Sequence, residues 1–279
     1  MTTPDDIAAL FVRACNAELA ALKPGNVHRF EAGHGMTVAD FEASADVSAP
    51  SICAPGAGVG ARILAAVLAT RGAVGQNTNL GILLLCAPLA KAAERPGASL
   101  RGSLDAVLAD LCRQDAEDAF RAIALAAPGG LGTVPEADVR RPPPVGLRDA
   151  MRLAADRDLI ARQYDNGYAE IFDIGVPLAA GRPMEKAAQD VFLAFAATVP
   201  DSHVARKFGS EAAIGLMHRF RALAGAPREA LAAFDGALKA EGLNPGTSAD
   251  MTVASLFAAA LDEKASEPGG TRLAGHGKD

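Results

Sequence analysis

The feature that most constrains the fold is the lack of any strand-like pattern. No run of alternating β-branched residues long enough for a strand occurs in the 279 residues. Apolar residues recur at helical spacing in one segment after another, and Ala, the strongest helix former, is very frequent. We therefore predict an all-α protein of about a dozen helices in a single globular domain. No fixed-period repeat indicates a solenoid.

Two helix starts are marked by capping residues. Thr3-Pro4-Asp5-Asp6 places a hydroxyl before a proline and two acids, and Thr37-Val38-Ala39-Asp40 has the spacing of a capping box. Further along, Asp156–Asp173 is predicted to form one helix.

The sequence also predicts the limits of the domain. Glycines and prolines interrupt the helical pattern over Gly129–Pro144, which we interpret as a surface loop because the composition is similar on both sides. The catalytic domain should span residues 1–264. Residues 265–279, with four glycines and few apolar side chains, should form a disordered tail.

Charge and hydropathy restrict the partners. A net charge of −6 gives no overall basic field for nucleic acid. The longest apolar run, Ile82–Ala90, is too short to span a membrane, and the acidic N-terminus does not read as a signal peptide. We expect a cytoplasmic protein that binds a small molecule and neither nucleic acid nor membrane. A homodimer is compatible with the sequence.

The four cysteines are far apart and form no metal-binding motif. Cys15, Cys53, Cys86 and Cys112 include no Cys-x-x-Cys pair and have no His at ligand spacing. We predict four buried thiols in a reducing compartment.

Polar residues collect at four loop-to-helix junctions, of which two lie in the first third of the chain. In Lys23–Arg29, a glycine would let the backbone approach a ligand, and the basic residues could neutralise phosphates. An ordinary helix stop explains the same pattern. Gln76–Asn79, which lies between Gly75 and Gly81, precedes an apolar segment, so its amides and hydroxyl need partners, and a ligand is one such partner.

The other two junctions lie in the last third of the chain. Asp201–Lys207 combines a carboxylate, a histidine and two cations within two helical turns, which suits either a metal–phosphate group or a solvated helix. Asn244–Phe257 is a Pro-Gly turn leading into a buried helix, with Thr247 or Ser248 as N-cap candidate and Asp250 in the first turn. Such a helix end can bind an anion, and a capped core helix is the simpler alternative.

In this order on an all-α chain, the junctions resemble those of the triphosphoribosyl-dephospho-CoA synthase family. The most specific match is Asn244–Met251, which is similar to the family's Ser-Pro-Gly-Gly-Ser-Ala-Asp-Leu. The resemblance covers roughly residues 5–262. It implies a transferase that joins C1′ of the ATP ribose to the 2′-hydroxyl of dephospho-CoA and releases adenine. It also implies Mg²⁺ and basic side chains around the triphosphate.

The resemblance assigns expected roles to the polar residues. Asp201 and Asp250 are candidates for general base or Mg²⁺ ligand, not distinguished from one another, and His28 is a further catalytic candidate. Lys23 and either Arg206 or Lys207 are expected phosphate contacts. The other expected ligand-binding residues are Asn26, Arg29, Asn77, Thr78, Asn79, Ser202, His203, Asn244, Gly246, Thr247 and Ser248.

The chain departs from the family pattern at the second junction. Asn79-Leu80 stands where the family has His-Lys, and His28 stands where it has Asp, so the chain resembles a diverged branch. The loss of a cation beside a triphosphate is a large electrostatic change. Two alternatives to the family reaction therefore stay open. One is a role in making a one-carbon carrier coenzyme of the methanopterin or methanofuran type, and the other is nucleotide binding without catalysis.

Overall fold

The chain folds into helices throughout the part that can be described. The computed structural model describes residues 2–29, 36–95, 99–126, 143 and 145–266. These residues form fourteen α-helices and one π-helical turn, Ile171–Gly175, and they contain no β-strand. The α-helices are α1 (Pro4–Ala20), α2 (Val38–Ile52), α3 (Val59–Val74), α4 (Leu80–Ala93), α5 (Leu100–Ala109), α6 (Arg113–Ala126), α7 (Leu147–Arg152), α8 (Leu159–Asn166), α9 (Val176–Ala179), α10 (Met184–Thr198), α11 (Ser202–Phe208), α12 (Ser210–Ala222), α13 (Arg228–Glu241) and α14 (Gly246–Ser266). The all-α prediction is confirmed.

Helices α4 and α14 form the centre of the fold. A helix that is apolar on all sides must lie inside a protein, and α4 is buried at every position from Ile82 to Ala90. Helix α14 is buried at every position from Thr247 to Ala259 except Asp250. It packs against α1, α4 and α10. The N-terminal turn of α14 is therefore the point where this central helix carries a polar, incompletely buried side chain.

A proline in α4 is compensated by a buried tyrosine, and a second tyrosine bonds to the next carbonyl. Pro88 has no N–H group, so the carbonyl of Leu84 lacks its usual helical partner. The buried Tyr164 hydroxyl donates to that carbonyl at 2.6 Å. Tyr168 donates to the neighbouring carbonyl of Leu85 at 3.1 Å. These hydrogen bonds fix the position of α8 along α4.

The prediction of a single helix over Asp156–Asp173 is wrong. Helix α8 ends at Asn166 because Gly167 adopts the left-handed conformation, with φ of 72°, and Tyr168 follows with φ of 60°. After this break the chain continues as the π-helical turn and α9. Gly167 was the only local sign of the break, since the apolar spacing continues through it.

Both predicted helix starts are confirmed, and each has a capping box, which was predicted only at Thr37. The Thr3 hydroxyl accepts from the Asp6 N–H, and the Thr37 hydroxyl accepts from the Asp40 N–H. The predicted N-cap of α14 is wrong, because the helix begins at Gly246 and encloses Thr247 and Ser248 in its first turn. Of the predicted loop Gly129–Pro144, only Pro143 lies within the described residues.

The remaining predictions about surface and termini have mixed outcomes. Helix α14 extends to Ser266, and the rest of the predicted tail lies outside the described residues. Cys15, Cys53 and Cys86 are buried as predicted, but Cys112 is exposed, which corrects the prediction of four buried thiols. In the described part of the chain, none of the helices has the length and apolar character required to cross a lipid bilayer.

Candidate active site

The four polar junctions meet around the N-terminus of α14. The Asn26 side chain of the first junction donates to Asn244 Oδ1 at 2.8 Å. In the third junction, Asp201 accepts a hydrogen bond from the Ser248 N–H at 2.8 Å. The second junction reaches the same place through Gly81. The side chain of Asp250 lies so close to Gly81 that a Cβ there would be 2.1 Å from Asp250 Oδ2. Segments far apart in the chain therefore converge on one helix end.

Asp201 caps two helices with one carboxylate. Its Oδ1 accepts from the N–H groups of His203 and Val204 at 2.9 and 3.1 Å, which caps its own helix, α11. Its Oδ2 accepts from the N–H and the hydroxyl of Ser248 at 2.8 and 2.9 Å. The anion at the start of α14 is thus a protein carboxylate, held by the attraction that helix N-termini exert on negative charge.

Of the two aspartates at the start of α14, Asp250 has fewer hydrogen-bond partners than Asp201. Among the residues that the structure describes, none forms a hydrogen bond or an ion pair with the side chain of Asp250. Burial raises the pKa of Asp250 well above its usual value, and the negative charges of Asp201 and Glu18 raise it further, while Arg206 opposes them. A carboxyl group with a raised pKa beside polar side chains is a candidate for proton transfer.

A chain of buried polar contacts runs from α1 to α14. The Lys23 ammonium, which is fully buried, forms an ion pair with Glu18 and donates to Asn26 Oδ1 at 2.9 Å. Burial lowers the pKa of Lys23 and raises that of Glu18, and each charge partly offsets the shift of the other. In this conformation Lys23, predicted as a phosphate contact, is directed at Glu18.

A second buried ion cluster anchors the first junction to α13. His28 Nε2 lies 3.0 Å from Asp235 Oδ2, and Lys239 Nζ lies 2.9 Å from the same oxygen. The Gly25 N–H donates to Asp235 Oδ1 at 2.8 Å. His28 is buried, so in this structure the predicted catalytic histidine bonds to α13.

The third junction also contacts the start of α8. Ser202 Oγ accepts from the Leu159 N–H at 2.7 Å, and Arg206 donates to Asp158 Oδ2 at 2.5 Å. About a quarter of the Arg206 side chain is exposed. Lys207 is exposed and lies over the Phe208 ring. Gly246 packs against the ring of His203. The backbone N–H of His203 donates to Thr247 Oγ1 at 3.1 Å.

Most of the second junction faces α2 rather than Asp250. Thr78 Oγ1 lies 2.6 Å from Ser44 Oγ, and the Asn77 side chain accepts from the Leu80 N–H. Asn79 is buried with its amide 3.5 Å from Ser48 Oγ. Leu80 belongs to the hydrophobic core. The two residues that replace the family's His-Lys are therefore absorbed into the packing of α2 and α4.

Arg29 lies away from this cluster. It is exposed and lines a depression of about 680 Å³ along the outer face of α1, together with Arg13 and Glu185. Among the described residues, neither the hydrogen-bond partners of Asp201 nor Gly81 beside Asp250 lines this depression.

Comparison with known proteins identifies the family of this chain. The sequence model for ATP:dephospho-CoA triphosphoribosyl transferase matches residues 4–269. The chain belongs to this transferase family. A protein from Archaeoglobus fulgidus, whose crystal structure carries the provisional name triphosphoribosyl-dephospho-CoA synthase, superposes with a TM-score of 0.67. The two are 24% identical over 79% of this chain and 98% of the other, which supports a shared fold. No curated protein sequence matches significantly.

The residues of this transferase do not fit a resident Mg²⁺ held jointly by Asp201 and Asp250. Both oxygens of Asp201 already accept hydrogen bonds from N–H and O–H donors. In the described part of the chain, no group of three or more His, Cys, Asp or Glu side chains could hold a metal ion.

Four charged residues of the candidate site were not predicted from the sequence, namely Glu18, Asp158, Asp235 and Lys239. Glu18 lies seven residues after Phe11 on the buried face of α1. Asp235 lies on the buried face of α13 between Leu231 and Leu238. A charge on an apolar helix face is rarely buried without a partner, and this signal could have found both residues. Asp158 and Lys239 have no comparable signal.

Proposed function

We propose that this transferase moves the triphosphoribosyl group of ATP onto a hydroxyl of dephospho-CoA, with Asp250 as general base. The observation that carries the proposal is the Asp250 carboxylate, which lies where the four junctions meet and has no hydrogen-bond partner among the described residues. Family membership supports the reaction type.

The proposed step is a substitution at C1′ of the ATP ribose. The acceptor hydroxyl oxygen forms the new bond to C1′, and the C1′–N9 bond breaks so that adenine leaves with the electron pair. Asp250 takes the hydroxyl proton, a role that suits a carboxylate whose pKa is raised above its ordinary value, because a stronger base takes a proton more readily. Positive charge that develops on the ribose would be stabilised by the surrounding carboxylates, as in glycoside hydrolysis.

The triphosphate needs cations, and Arg206 and Lys207 are our candidates. Both are at least partly exposed, whereas Lys23 is fully buried against Glu18. Arg206 could exchange its contact with Asp158 for a phosphate, because guanidinium groups bind both anions bidentately. ATP would enter as its Mg²⁺ chelate, so the metal arrives with the substrate.

The acceptor could also be a less anionic coenzyme precursor. Asn79 and Leu80 are buried, so this junction presents no cation where the family has one. That arrangement favours an acceptor with fewer phosphates than dephospho-CoA, such as an intermediate of a methanopterin- or methanofuran-type coenzyme. The attack at C1′ and the role of Asp250 would be unchanged.

The test is adenine release measured by chromatography with ATP, Mg²⁺ and dephospho-CoA. We expect the wild type to release adenine and Asp250→Asn to lose at least about 100-fold in kcat, the usual scale for removing a general base. Asp156→Asn, at an exposed position outside the site, is the matched control and should retain activity.

The outcomes separate the candidate functions. Adenine release by Asp250→Asn at the wild-type rate would refute the role of Asp250. Release only with a one-carbon coenzyme precursor would identify the other acceptor. ATP binding by calorimetry with no turnover by the wild type on any acceptor would indicate a nucleotide-binding protein instead.

A further inference from the structure

We propose that Asp201 is a positioning residue, which fixes the first turn of α14 and so sets the place and the charge environment of Asp250. The inference deepens the proposed function, since it assumes that Asp250 is the reacting carboxylate. It also separates the two aspartates that the sequence left equivalent.

The hydrogen bonds of Asp201 leave it little capacity for chemistry. An ionised carboxylate offers about four acceptor sites. Asp201 uses its Oδ1 for the N–H groups of His203 and Val204 and its Oδ2 for the N–H and hydroxyl of Ser248. With only 3% of its surface exposed, it is also shielded from a substrate. To accept a proton or a ligand, Asp201 would have to break its hydrogen bonds to the first turn of α11 or of α14.

The same bonds place Asp250 relative to α11 and α4. Ser248, which Asp201 holds by two hydrogen bonds, is two residues before Asp250 in the first turn of α14. On the opposite side, Gly81 of α4 limits the Asp250 side chain, because a Cβ at Gly81 would be 2.1 Å from Asp250 Oδ2. Loss of the bonds to Ser248 would let this turn shift, and a displacement of about 1 Å in an active site can cost about 100-fold in rate.

The negative charge of Asp201 acts on Asp250 as well. Among the described residues, the ionisable groups that act on Asp250 include Glu18 of α1, Lys23 after α1, Cys86 of α4, Asp158 before α8, and Asp201 and Arg206 of the third junction. Asp201 raises the pKa of Asp250, second in effect to burial. Replacing Asp201 by a neutral side chain should therefore lower the pKa of Asp250.

The test combines a titration with kinetics on Asp201→Asn. In protein labelled with ¹³C at the aspartate carboxyl carbons, the Asp250 signal is assigned by its loss in Asp250→Asn. We expect this signal to titrate at lower pH in Asp201→Asn than in the wild type. We also expect kcat to fall about 100-fold with the KM for ATP unchanged, since displacement affects the transition state most.

Asp6→Asn is the matched control, because Asp6 completes a capping box at the start of α1 with an exposed carboxylate. It should leave both the Asp250 titration and kcat at their wild-type values. An unchanged Asp250 titration in Asp201→Asn would overturn the proposal. A raised KM with unchanged kcat would also overturn it, since that result indicates direct substrate binding by Asp201.

Ser248→Ala provides a second test if Asp201→Asn does not fold. It removes one of the two donors to Oδ2 and keeps the charge of Asp201. We expect a reduced kcat with the Asp250 titration nearly unchanged, and a wild-type kcat would overturn the positioning role. The titration needs no turnover. A shifted Asp250 signal without adenine release would therefore refute the proposed function while supporting the position of Asp201.

Discussion

The carboxylate of Asp250 occupies the space that a side chain on Gly81 would fill. A Cβ at Gly81 would lie 2.1 Å from Asp250 Oδ2 and 2.4 Å from Cγ, far inside van der Waals contact. The start of α4 therefore approaches the start of α14 only because residue 81 is a glycine. This close contact explains in physical terms why a glycine follows the second junction at position 81.

Gly81→Ala should displace Asp250 and reduce adenine release by about 100-fold, the scale expected for a misplaced catalytic group. The measurement is kcat for adenine release alongside the free energy of unfolding in urea. Gly72→Ala is the matched control, because Gly72 lies in α3 and a Cβ there would meet no atom within 4 Å. It should keep full activity and gain up to about 1 kcal/mol of stability. Equal effects of the two substitutions would contradict the steric argument.

Lys23→Met should destabilise the fold by about 3–5 kcal/mol, because it leaves the Glu18 carboxylate buried without its partner. The double variant Glu18→Gln with Lys23→Met should recover much of this loss, since no buried charge remains. Urea denaturation followed by circular dichroism measures both.

The exposed pair Arg219–Glu241 serves as the control for that comparison. Its side chains are 38% and 45% exposed, so Arg219→Met should cost less than about 1 kcal/mol. A similar loss for Lys23→Met and Arg219→Met would mean that burial of the first pair has little energetic weight.

Asp235 should make the stability of the fold sensitive to acid. Burial alone would raise the pKa of Asp235, but hydrogen bonds from His28, Lys239 and the Gly25 N–H outweigh it and lower the pKa to about 2. Because the folded pKa is below the unfolded value, the stabilisation is complete above the unfolded pKa and disappears as the pH falls through about 2.

The comparison of wild type with Asp235→Asn isolates this contribution. The difference in free energy of unfolding should be largest near neutral pH and should shrink as the pH falls below about 4. Urea titrations at several pH values provide the measurement. A difference that grows on acidification would have the wrong sign for the assigned contacts.

Tyr164→Phe should destabilise the protein by about 1–3 kcal/mol, because the carbonyl of Leu84 would then be buried without a donor. The double substitution of Tyr164→Phe with Pro88→Ala should cost less than the sum of the two single changes, since alanine supplies the missing N–H. Thermal and urea unfolding measure this coupling. Simple additivity would show that the hydroxyl does not replace the helical bond.

Structural features that depend only on neighbouring residues, such as helix caps, could be predicted from the sequence. The capping boxes at Thr3 and Thr37 each join residues three positions apart, so their geometry is local. The contact between Asp201 and Ser248 spans 47 positions, and no local pattern specifies which helix ends meet. The four polar junctions could therefore be found from sequence, whereas their arrangement around α14 could not.

The roles of individual side chains were harder to predict than their location. Lys23 and Arg206 both looked like phosphate contacts, yet the fold buries the first and leaves the second partly exposed. Glu18 decides this difference, because it supplies the buried partner of Lys23. Tertiary burial separates residues of the same charge that sequence reasoning treated alike.

The hydroxyls of Tyr164 and Tyr168 fix the position of α8 along α4, because they bond to two successive carbonyls of α4. Sliding α8 by one residue would displace it about 1.5 Å and break both bonds. Asp158, the N-cap of α8, accepts a hydrogen bond from Arg206. The bonds from the tyrosines to α4 therefore also determine where Arg206, a cation proposed to bind phosphate, is held. Across homologous chains, Pro88 and Tyr164 should therefore be gained and lost together.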